Sequence, residues 1–251
     1  MRLEIDMGNT RTKWRCGDRK GALPAPGLPE VDCVVERVCV SSVRGDVEAL
    51  RGSVRERYGV EGEFARTSAR VGEVTCGYDE PAKMGVDRWL AVIAAWHASR
   101  RPCIVVGAGT ALTIDFVTSA GRHVGGYIVP GMTTMRRALS VQTAAVDVPF
   151  SDETDLSPAT ETIGAVNRGI VLMTRDFVRS SVARFMSECE NTPVVFATGG
   201  DAEVALRDLF QNGPCSDRPS TDGFGQSPDP DSLTLRLEPE LVLDGLRIAF
   251  P

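Results

Sequence analysis

The first residues alternate between apolar and polar. In LEIDM (3–7), Leu3, Ile5 and Met7 share one face and Asp6 sits on the other. Gly8 and Asn9 then read as a tight turn, and TKWRC continues as a second strand, so residues 1–16 predict two strands joined by a turn. VDCVVERVCVSSV (31–43) predicts a further buried strand, and GDVEALRGSVRERYG (45–59) has helical spacing with charge pairs. VDRWLAVIAAWHASR (86–100) predicts a helix with Trp89, Val92, Ile93 and Trp96 on one stripe, a core face rather than a substrate box. Strand patterns return in CIVVGAGTALTIDFV (103–117), HVGGYIVPG (123–131) and PVVFATGGDAE (193–203). Residues 162–189 and 201–210 read as helices, and PELVLDGLRIAF closes the chain as another. GPCSDRPSTDGFGQSPDPDS (213–232), rich in Pro, Gly and Ser, reads as a mobile surface loop.

One pattern occurs twice. Ile5 to Thr12 aligns with Val106 to Thr113, so that Gly8 meets Gly109 and Thr12 meets Thr113 about a hundred residues later. Each copy is strand, small-residue turn, strand, and each opens a strand-rich block of similar length. Two similar domains are expected, 1–101 and 102–251, the second carrying the TGG turn and the 213–232 loop.

Bulk properties narrow the function. The length of 251 residues allows one large or two small domains with real cores, and a formal net charge of −6 argues against a broad nucleic-acid surface. No stretch is long and apolar enough for a membrane span, and the opening lacks the layout of a signal peptide, so a cytoplasmic location with no membrane partner is expected. Seven scattered cysteines contain no CxxC pair and read as reduced thiols. With only His97 and His123, a Ser-His-Asp hydrolase or a histidine zinc site is disfavoured.

The opening hairpin is where chemistry concentrates. A glycine turn with Gly8, Asn9, Thr10 and Thr12 offers backbone and side-chain donors to an anion, and Lys13 adds charge. Asp6, at the carboxyl end of its strand, suits Mg²⁺, held directly or through water. A plain hairpin whose Asp6 and Asn9 satisfy turn amides explains the same residues. Asp87 likewise reads either as a first-turn or capping acid of its helix or as a proton acceptor.

Taken in order, DMGNT (6–10), GVDRW (85–89), GTALT (109–113), GGYIVPGM (125–132), TGGDA (198–202) and LVLDGL (241–246) resemble the type III pantothenate kinases over nearly the whole chain. The resemblance implies an α/β fold of two similar ribonuclease H-like (actin-like ATPase) domains, mixed sheets flanked by helices, with a nucleotide cleft between them. It implies ATP-dependent phosphorylation of (R)-pantothenate to 4′-phosphopantothenate, the first step towards coenzyme A. Asp6, Met7, Gly8, Asn9, Thr10, Arg11, Thr12 and Lys13 match the first ATP phosphate segment, and Thr110 matches a second ATP contact. Gly85, Val86, Asp87 and Arg88 match the pantothenate segment, with Asp87 as the proton acceptor, and Tyr78 matches a substrate-contacting tyrosine. Thr162 matches a substrate threonine supplied by the neighbouring subunit of a homodimer, with Thr160 two residues away as the competing choice. TGGDAE fits either an adenine or ribose contact or a strand-to-helix turn. A non-catalytic relative acting as a transcription accessory factor is the alternative function.

The chain departs from the family at one position. Many members carry an acid where this chain has Gly107, and that acid helps bind a monovalent cation, K⁺ or NH₄⁺. Without it the cation is unnecessary, is held by backbone oxygens and water, or is lost with part of the activity. No monovalent cation is expected at Gly107.

Overall fold

The alternating opening becomes β1 (Arg2–Met7), antiparallel to β2 (Arg11–Cys16), in a computed structural model that describes residues 1–142, 149, 155–189, 191–206, 209 and 233–251. The expected loop over 213–232 lies outside the described residues, as do 207, 208 and 210 of the expected helix over 201–210. After β2 come β3 (Arg19–Pro24), β4 (Arg37–Ser42), α1 (Val47–Tyr58), β5 (Gly62–Phe64), and the short pair β6 (Arg70–Val71) and β7 (Val74–Thr75). α2 (Val86–Ser99), β8 (Cys103–Ala108), β9 (Ala111–Val117), β10 (His123–Pro130) and α3 (Met132–Gln142) follow. The chain ends with α4 (Thr162–Met186), β11 (Val194–Thr198), α5 (Ala202–Leu206), β12 (Thr234–Leu237) and α6 (Leu241–Ala249).

The repeat in the sequence is a repeat in topology. One sheet has the order β3-β2-β1-β4-β5 and the other β10-β9-β8-β11-β12. In each, the first strand of the repeat pairs antiparallel with its hairpin partner and parallel with a later strand, β1 with β4 and β8 with β11. Both sheets are therefore mixed, and helices cover them, as expected for the class.

Two compact units result. The first holds Met1–Arg100, Ala120–Gly125 and Glu240–Pro251, and the second holds Arg101–Ser119 and Gly126–Pro239. The grouping departs from continuous halves at 1–101 and 102–251 in two stretches, and the physics of α6 explains one of them. Glu4 on β1 is 1 % exposed, and a buried carboxylate needs cations around it. Arg15 on β2 supplies one at 2.6 Å and Arg247 on α6 another at 3.1 Å, while Arg15 also reaches Asp244 on α6 at 2.7 Å. Gly245 completes the attachment: a Cβ there would meet the Leu90 carbonyl oxygen of α2 at 2.2 Å, so only glycine lets the two helices come this close.

Each unit has its own core. In the first, Leu3, Ile5, Val38 and Val40 from the central strands pack with Val54 of α1, and Trp89 and Trp96 of α2 are buried as the helical stripe predicts. In the second, Ile104, Val106, Ile114 and Phe116 meet Ile170, Val178, Val182 and Phe185, which with buried Thr174 recur every three to four residues and turn one face of α4 inward. No helix among the described residues is long and apolar enough to cross a membrane.

Candidate active site

The first hairpin holds Asp6 in a charged pocket of its own unit. Asp6 pairs across the sheet with Lys13 on one side and Ser41 of β4 on the other, and Met7 pairs with Thr12. The Gly8 N–H donates to the Arg11 carbonyl at 3.0 Å, which closes the turn. Asn9, Thr10 and Arg11 stand exposed at its tip, whereas Met7 and Thr12 are buried. Thr12 Oγ1 is enclosed with no protein hydrogen-bond partner, so this threonine faces inward, away from the exposed tip. Burial pushes the Asp6 carboxyl up to about 6, and the nearby Asp87 carboxylate adds to the push, while Ser41 and Lys13 pull the other way.

The two predicted acids thus lie close enough to repel each other. Asp87 lies in the first turn of α2, whose N-cap is Gly85 without a capping side chain. The Arg88 N–H donates to Asp87 Oδ1 at 2.8 Å, so the carboxylate satisfies one open amide of the helix start while remaining beside Asp6. A Cβ on Gly85 would lie 2.8 Å from that same oxygen, so glycine clears the space the carboxylate uses. The first-turn role and a chemical role coexist here, and Asp87 is not the N-cap.

Arg88 is 8 % exposed, and its Nη1 donates to the Tyr78 hydroxyl at 2.8 Å. Its guanidinium also stands 5.6 Å from the centre of the Tyr78 ring. The Tyr78 ring also stacks on His123 with centroids 6.0 Å apart, and His123 is fully buried. The Gly77 N–H reaches His123 Nδ1 at 3.4 Å. Predicted residues Tyr78, Gly85, Val86, Asp87 and Arg88 therefore gather at one end of α2. His123 and Ser41 join the predicted residues of this unit, though no motif singles out either. A histidine in a chain with only two, beside the glycines of HVGGYIVPG, was the one available signal.

The second hairpin carries no acid at the matching place. Gly107 pairs with Thr113, and Ala108 with Leu112. A Cβ on Gly107 would lie 2.6 Å from Thr113 Oγ1, so the hydroxyl fills the space where a longer side chain would begin. Thr110 is exposed at the turn, and its carbonyl accepts from the Gly131 N–H at 3.0 Å and from Thr134 Oγ1 at 2.6 Å. The TGG turn packs beside this hairpin: Gly199 has φ +104°, and a Cβ there would meet the Ala108 carbonyl at 2.0 Å. Gly199 is thus required by the packing, while Gly200 faces open space. Asp201 follows, with burial raising its carboxyl and Arg136 of α3 opposing the rise. Arg136 is itself 4 % exposed, so the cation and the acid compensate each other inside this unit.

Thr162 is exposed in the first turn of α4, capped by Glu161, whose carboxylate accepts from the Ile163 N–H at 2.8 Å and the Gly164 N–H at 2.5 Å. Thr160 is exposed just before the cap. No cluster of three or more His, Cys, Asp or Glu able to hold a metal occurs among the described residues. Asp6 with Asp87 nearby suits Mg²⁺ nonetheless, because this ion is commonly held by one or two carboxylates with the rest of its shell from phosphates and water.

A statistical model of the family described as type III pantothenate kinase matches residues 2–184. A type III pantothenate kinase from Ectopseudomonas mendocina (strain ymp) is 37% identical over 276 residues, covering 100% of this chain and 99% of the relative. One from Chromohalobacter salexigens is 38% identical over 232 residues, covering 83% and 80%. Among solved structures, a Campylobacter jejuni protein described as conserved and of the Baf transcriptional activator family superposes with a TM-score of 0.56 at 17% identity, covering 98% of this chain and 95% of that one. The apo psk41 ParM protein gives 0.50 at 9% identity, with 98% and 95% covered. These two share the fold alone. By its relatives and by the family model, this chain belongs to the type III pantothenate kinase family.

Proposed function

We propose that the family's reaction, ATP-dependent phosphorylation of (R)-pantothenate to 4′-phosphopantothenate, runs in this chain on Asp87 as proton acceptor. The chain is a phosphotransferase acting on an alcohol group, and its product feeds coenzyme A biosynthesis. The observation that carries the assignment is the placement of Asp87 beside Asp6 at the start of α2, with Arg88 buried next to it.

Phosphoryl transfer through a loose transition state needs positioning and charge stabilisation more than a strong base. An aspartate in this place needs only to orient the primary hydroxyl and take its proton late in the transfer. The Arg88 N–H fixes the Asp87 carboxylate, and the Arg88 guanidinium, braced by Tyr78, offers a donor fork to the pantothenate carboxylate. Asn9 and Thr10, exposed at the first turn, and Thr110, exposed at the second, are the ATP phosphate contacts, with backbone donors from Gly8 and charge from Lys13. Mg²⁺ bound with ATP neutralises charge on the transferring group, and Asp6 would hold it directly or through water.

Gly107 and Thr113 supply a space filled by a neutral hydroxyl and no carboxylate, so a monovalent cation is not required. Exposed apolar side chains support a homodimer: Tyr127 and Ile128 on β10, the edge strand of its sheet, and Leu172 and Met173 on α4. Thr162 then reaches the partner's substrate, and the protein works in the cytoplasm. A retired site serving only as a transcription accessory has no reason to keep all of Asp6, Asp87, Arg88 and Thr110 in the sequence. Purified protein with Mg-ATP is expected to phosphorylate pantothenate, run beside glucose and a phosphatase substrate. Turnover of either of those in preference to pantothenate would overturn the assignment.

A further inference from the structure

Two thiols stand apart from all of this chemistry. Cys16 ends β2, and its Sγ lies 3.1 Å from Cys33 Sγ in the segment before β4. Cys16 pairs across the sheet with Leu3, at the opposite end of β2 from the phosphate turn. It is 3 % exposed, whereas Cys33 is only partly buried and lines a cavity of about 390 Å³ with Pro29, Val31, Val35, Arg57 and Tyr58. Cys33 is therefore the thiol that a small oxidant meets first, and Cys16 stands directly behind it. Burial and the neighbouring Cys33 push the Cys16 thiol up to about 11, so it is protonated at neutral pH.

We propose that Cys16 and Cys33 are an oxidative modification site, closing to an intramolecular disulfide when the protein meets a hydroperoxide. Hydrogen peroxide takes two electrons from the Cys33 sulfur, giving the sulfenic acid and one water. The Cys16 sulfur then attacks that sulfur, the S–S bond forms, and hydroxide leaves with the Cys16 proton as a second water. Two thiols and one peroxide become one disulfide and two waters. The sulfurs need to approach by only about 1 Å to reach the roughly 2.05 Å of a covalent bond. A soluble thiol reverses the step by exchange at the partly exposed Cys33 sulfur.

The test treats the full-length protein with hydrogen peroxide and then alkylates and digests it without reductant. The expected product is the tryptic peptide 16–19 linked to 21–37, lighter than their sum by two hydrogens and separated again by dithiothreitol. Titratable thiols in denaturant are expected to fall from seven to five, the seven cysteines less this pair. Because Cys16→Ser alters a buried position, Cys33→Ser at the partly exposed position serves as the control and abolishes the linked peptide. Full alkylation of both cysteines after peroxide, or Cys33 ending as sulfinic acid with Cys16 alkylated, would overturn the proposal.

Discussion

In the β1–β2 hairpin the residue one step before the last strand position is Asp6, opposite Lys13, while the matching residue of the β8–β9 hairpin is Gly107, opposite Thr113. The strand orders around the two are the same. Their registers are not. Four residues, Gly8 to Arg11, separate the paired Met7 and Thr12, but only three, Gly109 to Ala111, separate Ala108 and Leu112. One residue less in the loop slides the repeat's threonine from the position opposite the last strand residue to the position opposite Gly107. Its hydroxyl then occupies the volume that an acid would enter. The topology is shared while the penultimate strand position differs: a carboxylate opposite Lys13 in the first hairpin, a glycine opposite a threonine hydroxyl in the second.

Removing the acid that faces Asp6 breaks the comparison most severely. Asp87→Asn is expected to lower kcat by about 10²–10⁴ with an unchanged circular dichroism spectrum, since the first-turn position tolerates the amide. Wild-type turnover in that variant would end its assignment. Asp6→Asn is expected to lose activity and gain stability together. The folded carboxyl titrates near 6, above its unfolded value, so the folded state holds the proton more tightly and the charged form is a liability above pH 6. The amide removes that liability and is expected to add about 3 kcal/mol to ligand-free stability at pH 7, shrinking as the pH falls from 6 towards 4. Denaturant melts of both proteins at pH 4 and pH 7 check this, and equal differences at the two pH values would refute it.

Gly107→Asp probes the other hairpin. The new Cβ meets Thr113 Oγ1, so a loss of about 1–3 kcal/mol is expected, and adding Thr113→Ala restores most of it. Thermal melts of the single and double variants decide. Thr162→Ala is the mildest: a rise in the pantothenate KM of about tenfold, equal to one hydrogen bond, with Thr160→Ala near wild type. The reverse ranking would move the partner-facing contact to Thr160.

Much of this was legible in the sequence because it is local. The alternation of Leu3, Ile5 and Met7, the stripe of Trp89 and Trp96, and the glycine turns each announce an element within a dozen residues. The candidate site was legible only through ordered motifs, since Asp87 alone is equally a first-turn acid. What stayed hidden depends on pairing between distant segments. Ser41 joins Asp6 only because β4 lies parallel to β1, and His123 joins Tyr78 only through the fold. Position alone puts α6 in the second half, yet the buried charge of Glu4 binds it to β1. Aligning Thr12 with Thr113 was correct in sequence but blind to the register step that gives the two different neighbours.

The division of labour between the hairpins is tested most directly by one titration: pantothenate turnover with saturating Mg-ATP in tetramethylammonium buffer, with potassium then added. Full turnover before any potassium is predicted, because nothing at Gly107 offers the cation a carboxylate. Turnover that is absent without potassium and restored by it would contradict the assignment of cation chemistry to Asp6 alone.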